Sequence, residues 1–333
     1  MMKRYVWLAL AAAALAAAPG YKVVNKIKIG GAGAWDYVYV DSAAQRLYAS
    51  HGTQVEVIDL AAQMPVGKIP DTNGVHGIAV ASDLGRGFTS NGRDNSVTIF
   101  DLKTLQPIGS KVPTGRNPDA ILYEPHTKRV FAFNGASHDA TSIDAKTGQA
   151  LATFDVGGKP EFSQTDGKGK VWVNIEDTGE ILEIDAAKNT ITRRISIKPC
   201  ENPTGLAYDE KKKRLYSACS NKLVAVTDPA AGKLLGTAPI GAGSDGVVFD
   251  NGFAVTSNGA DGTLTVVEEQ SGKYVVVETV TTQRSGRTIG VDHKTHKIYV
   301  PAADSGAAAV GKDGKQGRPQ LLPDTFSVLV IAR

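Results

Sequence analysis

The chain has 333 residues and a mass of 35.0 kDa, and its composition, 42% hydrophobic and 21% charged, excludes a disordered chain and suffices for a large core. Its 36 glycines and 15 prolines are too irregular for collagen and instead predict many tight turns between short strands, an all-β chain. Lys+Arg 37 against Asp+Glu 34 gives +3, or +1 once Lys3 and Arg4 leave with the leader described next, which excludes bulk electrostatic attraction to nucleic acid or anionic lipid.

Residues 1–20 read as a secretory leader: Lys3 and Arg4 form its positive start, residues 6–18 its apolar stretch, and small residues follow. The stretch is too short for a permanent membrane span. Cuts after Ala17 or after Gly20 both leave Tyr21 in the mature chain. No cysteine follows at which a lipid could be attached, so a periplasmic or secreted protein without a membrane anchor is expected. Residues 21–30 then alternate like a strand, and Gly30, Gly31 and Gly33 precede a second strand rather than a helix, which fits a crossover and not a dinucleotide-binding turn.

From there the chain repeats. Each unit has an apolar first strand, a turn, a second strand that in six of seven cases opens on an aromatic residue, a third strand that often ends in Asp, and a fourth. The second strands are Tyr48-Ala49-Ser50-His51, Phe88-Thr89-Ser90-Asn91, Phe131-Ala132-Phe133-Asn134, Trp172-Val173-Asn174-Ile175, Tyr216-Ser217-Ala218-Cys219, Val255-Thr256-Ser257-Asn258 and Tyr299-Val300-Pro301-Ala302. Anchored one residue before each first strand, the units start at Asp36, His76, Asp119, Glu161, Thr204, Asp245 and Arg287, in steps of 40, 43, 42, 43, 41 and 42 residues. Four short strands per unit at this period predict a seven-bladed β-propeller, with each terminal Asp forming an Asx turn. The last unit supplies only three strands, the third at residues 326–332, so residues 21–30 are expected to add its fourth and close the ring, leaving a single propeller domain over 21–333.

Within this frame Cys200 and Cys219 fall at the same end of one hairpin, and an oxidising compartment favours their pairing as a disulfide. The run Lys211-Lys212-Lys213-Arg214 occupies a turn on the far face and reads as a solvated hairpin. Residues 303–325 interrupt the last blade between its second and third strands. By position this insertion, with Lys312, Lys315 and Arg318, is expected on the channel face as a lid or partner-binding loop, or as a disordered decoration.

These second strands, together with Thr89-Ser90-Asn91-Gly92 and Thr256-Ser257-Asn258-Gly259, resemble those of the YVTN-repeat, YncE-like seven-bladed propellers of bacterial envelopes, a similarity that spans residues 21–333. Ile175, Cys219 and Ala302 depart from it by taking the Asn position. The resemblance implies a binding or scaffold protein of the cell envelope, and some relatives of this kind bind DNA.

The seven anchor residues Asp36, His76, Asp119, Glu161, Thr204, Asp245 and Arg287 are expected to ring one mouth of the axial channel, with His51 and His138 on the same face and His126, His293 and His296 solvated on the other. Such a ring suits a ligand or one divalent metal ion, with Asp36, His76, Glu161 and Asp245 as the metal-binding set; it also suits plain solvation of a wet channel. No GxSxG, P-loop, CxxCH or CxxC occurs. A monomeric binding module for an envelope protein, peptide or glycan is therefore the leading expectation. The alternatives are a metal-dependent, lactonase-like hydrolase or lyase with His76 as base or ligand, and a DNA-binding propeller, against which the near-neutral charge argues.

Overall fold

The computed structural model describes residues 20–310 and 316–333; Met1 to Pro19 of the expected leader, and Lys312 and Lys315 of the insertion, lie outside the described residues. The chain forms seven four-stranded antiparallel sheets arranged as blades, and among the described residues helix is confined to two short 3-10 turns, Ser82–Leu84 and Gly92–Asp94. Blade 1 illustrates the pattern, with Val38–Asp41 innermost, then Arg46–His51, Gln54–Asp59 and Met64–Ile69. Blade 7 is assembled from both ends of the described chain: Gly290–Asp292, Lys297–Ala302, Ser327–Ala332 and, outermost, Lys22–Lys28. The expected closure is thus present, and Lys22 pairs with Ala332 and Lys28 with Ser327.

The core is divided in the way a propeller requires. Strand side chains alternate between two faces, and each blade face packs on the next blade. Seven apolar clusters result, one at every blade interface. Phe88, Val97 and Ile99 of blade 2 meet Val130, Ala132 and Ile143 of blade 3, while Ile27, Tyr299 and Val330 of blade 7 meet Leu47, Ala49 and Ile58 of blade 1 across the closure. Arginines at the start of second strands add polar staples: Arg46 donates to the Leu102 carbonyl at 2.6 Å and Arg129 to the Ala186 carbonyl at 2.6 Å, each in the following blade.

The recurrent Asn and Asp have separate duties. Asn91, Asn134 and Asn258 are fully buried, and their amides donate to Thr98, Thr141 and Thr265 of the adjoining third strand at 2.8, 3.0 and 2.9 Å, so that buried polar groups are paired within the sheet. The Asp that ends third strands is the expected turn former. Asp101 Oδ1 accepts the Lys103 and Thr104 amides at 2.9 and 2.7 Å, and Asp59, Asp144, Asp185 and Asp228 repeat the motif.

Cys200 and Cys219 form a disulfide with Cα atoms 5.4 Å apart, as expected from their place on the hairpin. The insertion is built as a further hairpin, Ser305–Val310 with Gln316–Leu321. Its base is held by Asp304, which accepts from Gln283 at 3.0 Å and pairs with Lys26 at 3.6 Å.

Candidate binding site at the channel mouth

Local sequence sets the seven anchor residues at one end of the innermost strands. The third residue of the second-strand signature positions several of them. The Ser50 hydroxyl accepts the Asp36 amide at 2.7 Å, the Ser90 hydroxyl donates to the Asp119 carbonyl, and the Asn174 amide donates to the Thr204 carbonyl at 3.1 Å. Small residues after the anchors let neighbouring inner strands approach: a Cβ on Gly205 would lie 2.6 Å from the Gly246 Cα, a clash with backbone that leaves glycine as the residue that fits.

The ring separates into three groups. His76 Nδ1 lies 2.6 Å from Asp36 Oδ2 and 3.7 Å from Asp119 Oδ1. Lys159 joins Glu161 at 2.8 Å and also pairs with Glu176. Arg287 binds Asp245 at 2.9 Å and donates to the Trp35 carbonyl at 2.8 Å. Thr204 donates to the Ser244 carbonyl at 3.2 Å. The four residues expected as a metal-binding set are therefore divided among the groups. The ligand atoms that lie within 4.8 Å of one another belong to Asp36, His76 and Asp119.

Electrostatics follow from burial and from a surplus of acids. Burial alone would lower the His76 pKa, but the Asp36 hydrogen bond and the charges of Asp119 and Asp36 outweigh it and raise the value to about 9, so the imidazole is cationic at neutral pH. Burial, followed by repulsion from Asp36, raises Asp119 to about 7. Burial and the Asp119 charge likewise raise Glu161 to about 8, despite its pairing with Lys159. Asp245 is also raised, first by burial and then by Asp36.

Of the histidines expected to join this face, His51 is buried, donates through Nδ1 to the Glu56 carboxylate at 3.1 Å, and packs on Phe326 with centroids 4.5 Å apart. Its neighbours are Gly31 and Gly33 of the crossover rather than the ring. His138 is an exposed turn residue with φ 59°. On the far face, His126 is exposed, whereas His293 and His296 are fastened to the two oxygens of buried Asp250 at 3.0 and 2.8 Å. Both rings are nonetheless exposed, as expected, with one buried carboxylate organising the pair.

Sequence reasoning missed Lys159 and Glu176, and also the residues that close the channel behind the ring. Tyr37 and Phe162, each directly after an anchor, meet edge to face with centroids 5.1 Å apart. Burial and the charges of Asp119 and Glu161 hold the Tyr37 phenol well above its usual range, so it stays neutral. A signal was present: the residue after each anchor is Tyr37, Gly77, Ala120, Phe162, Gly205, Gly246 and Thr288, a column of small residues broken by two aromatics. On the other side of this pair lies a cavity of about 690 Å³ that opens on the far face.

No protein-family model and no curated protein sequence matches the chain. Its likeness is to solved structures and is one of fold. Hydrazine synthase from Kuenenia stuttgartiensis aligns at 14% identity with a TM-score of 0.70, covering 88% of this chain and 96% of that one. U3-55K aligns at 8% identity and 0.75, covering 93% and 98%, and the WD40 repeats of RRP9 at 8% and 0.77, covering 95% and 99%. The chain is an all-β, seven-bladed propeller.

Proposed function

We propose that the chain is a periplasmic or secreted binding module whose channel mouth receives a cationic side chain of an envelope protein or peptide. The observation that carries this reading is the surplus of acids at the mouth. Among the described residues, Asp36, Asp119, Glu161, Glu176 and Asp245 are met by His76, Lys159 and Arg287, and Asp119 Oδ1 is buried without a hydrogen-bond partner among them. A lysine or arginine entering there would let Asp119 and Glu161 ionise and would gain charge-assisted hydrogen bonds. The insertion hairpin offers an adjoining surface on the same side of blade 7. The extracytoplasmic placement draws on the leader at residues 1–20, the disulfide and the resemblance to envelope propellers. With Lys22–Lys28 laid over the edge of Ser327–Ala332, blade 7 has the same four strands as the other blades, which supports a monomer.

Calorimetric titration with tetra-arginine and tetra-glutamate tests the reading. Saturable binding of the basic peptide alone, weakened by salt, is expected; equal binding of both peptides, or of neither, overturns it. A second reading, a divalent metal ion, is favoured by the proximity of Asp36, His76 and Asp119. It requires the ion to displace the proton on His76, and thermal melts with chelator and with added divalent ions at pH 7 decide it. DNA binding gains no support from the basic run, where Lys212 pairs with Glu269 at 3.1 Å, Arg214 pairs with Asp228 at 2.8 Å and Lys213 lies over Tyr208.

A further inference from the structure

We infer that the chain is cut between Gly20 and Tyr21 and that the α-ammonium group so exposed is held by Glu278, which fastens the closing strand to blade 6. The cut rests on the extracytoplasmic reading above, and the clasp on the geometry around Tyr21.

The sequence separates the two candidate cuts. An export peptidase needs small residues one and three positions before the bond it hydrolyses. A cut after Ala17 would put Leu15 in the more distant of these places, whereas a cut after Gly20 puts Gly20 and Ala18 there. Hydrolysis adds one water across the Gly20–Tyr21 bond and leaves a carboxylate on Gly20 and an ammonium group on Tyr21. Tyr21 is 4% exposed in the folded chain, so the cut precedes closure of the ring.

The fold holds a counter-ion at that nitrogen. Glu278 Oε2, on the outermost strand of blade 6, Lys273–Thr281, accepts the Gly20 amide at 3.0 Å and the Tyr21 amide at 3.3 Å. Among the described residues its carboxylate meets these two amides and no basic side chain.

Tyr21 is fixed beside it. The ring is buried in the apolar cluster between blades 6 and 7, with Val255, Leu264 and Val280, and the hydroxyl accepts from Arg333 at 2.7 Å. The other charges that bear on Tyr21, those of Arg333 and Asp250, act at the phenol, while Lys22 is exposed. Gly20 contributes its one hydrogen bond and little else: it is exposed, and a side chain there would meet nothing within 4 Å. Its removal turns Glu278 from an acceptor shared by two amides into the partner of one cation, and the charge-assisted bond is the stronger kind.

The test exports the full 333-residue chain from a bacterial host and reads the first residue by intact mass and N-terminal sequencing. Tyr21 is expected. Competitive acetylation across pH then titrates that α-amine, which should ionise at about 8.5 against about 7.7–8.0 for an unpaired terminus. Glu278→Gln keeps an acceptor oxygen for the strand but removes the charge, and should return the amine to the unpaired range. Raising the pH through that range should also cost the wild type about 1 °C more in melting temperature than the variant. A chain that keeps residues 1–20 overturns the inference together with the extracytoplasmic reading. Export with a different first residue overturns the cut, and an α-amine at the unpaired value, or one unmoved by Glu278→Gln, overturns the clasp while export stands.

Discussion

Tyr37 of blade 1 and Phe162 of blade 4 meet edge to face across the axis, 5.1 Å between centroids, and so divide the channel into an acidic mouth and an apolar cavity. The edge-to-face arrangement places the electropositive ring edge against a π face and adds to the gain from burial. Phe162→Ala removes the partition, and a loss of about 1–3 kcal/mol is expected because Phe162 is only half-buried. Denaturant unfolding measures the loss.

The mouth acids make stability depend on pH with a defined sign. Folding raises Asp119 from 3.8 to about 7, so its ionised form is penalised in the folded state. That penalty is absent below about pH 3.8 and complete above about pH 7. Asp119→Asn should therefore raise the melting temperature at pH 8, by about 1.5–3 °C for about 1–2 kcal/mol, and the gain should fade toward pH 4. His76 adds to the same trend in the wild type. Its pKa is raised from 6.5 to about 9, so its stabilising contribution is full below about pH 6.5 and is lost as pH rises through 9. Melts of both proteins across this range check the sign.

The blade count and the Asx turns were legible because each rests on a local pattern repeated along the chain, the closure through residues 21–30 because the last repeat lacks a strand, and the disulfide because Cys200 and Cys219 fall at one end of a single hairpin. The seven anchor residues were legible from the repeat as well. Their pairing was not, since the Lys159 link to Glu161 and Glu176 and the Arg287 link to Asp245 depend on rotamers and on the angle between blades. His51 illustrates the limit: it occupies the position that Asn91, Asn134 and Asn258 fill elsewhere, and that position points into the sheet rather than the channel. The far-face cavity was illegible because its wall is assembled from single residues of four blades, each ordinary in its own strand.

The disulfide closes a loop between residues 19 apart in sequence. In the chain-entropy account such a loop contributes about 3 kcal/mol by restricting the unfolded chain. The double substitution Cys200→Ser with Cys219→Ser should lower unfolding free energy by that amount. Thiol titration of the unreduced, denatured wild type should find no free thiol.

Closure of the ring also has a measurable consequence. The strand Lys22–Lys28 covers the edge of Ser327–Ala332, and Tyr21 accepts a hydrogen bond from Arg333 at 2.7 Å beside it. Deleting residues 21–30 should expose that edge, lower the melting temperature and promote self-association, as read by size-exclusion chromatography. An unchanged melt with a monomeric profile would contradict the role assigned to this strand.

The central claim, that the mouth receives a cationic group, is tested most directly by the protons that binding releases. Asp119 and Glu161, at about 7 and 8, hold protons at neutral pH that a bound lysine or arginine would expel. Titration of tetra-arginine at pH 7 in buffers of different ionisation enthalpy counts those protons. The account predicts release of roughly one proton per peptide, abolished in the Asp119→Asn, Glu161→Gln double variant. Binding without proton release, or release that persists in that variant, would contradict it.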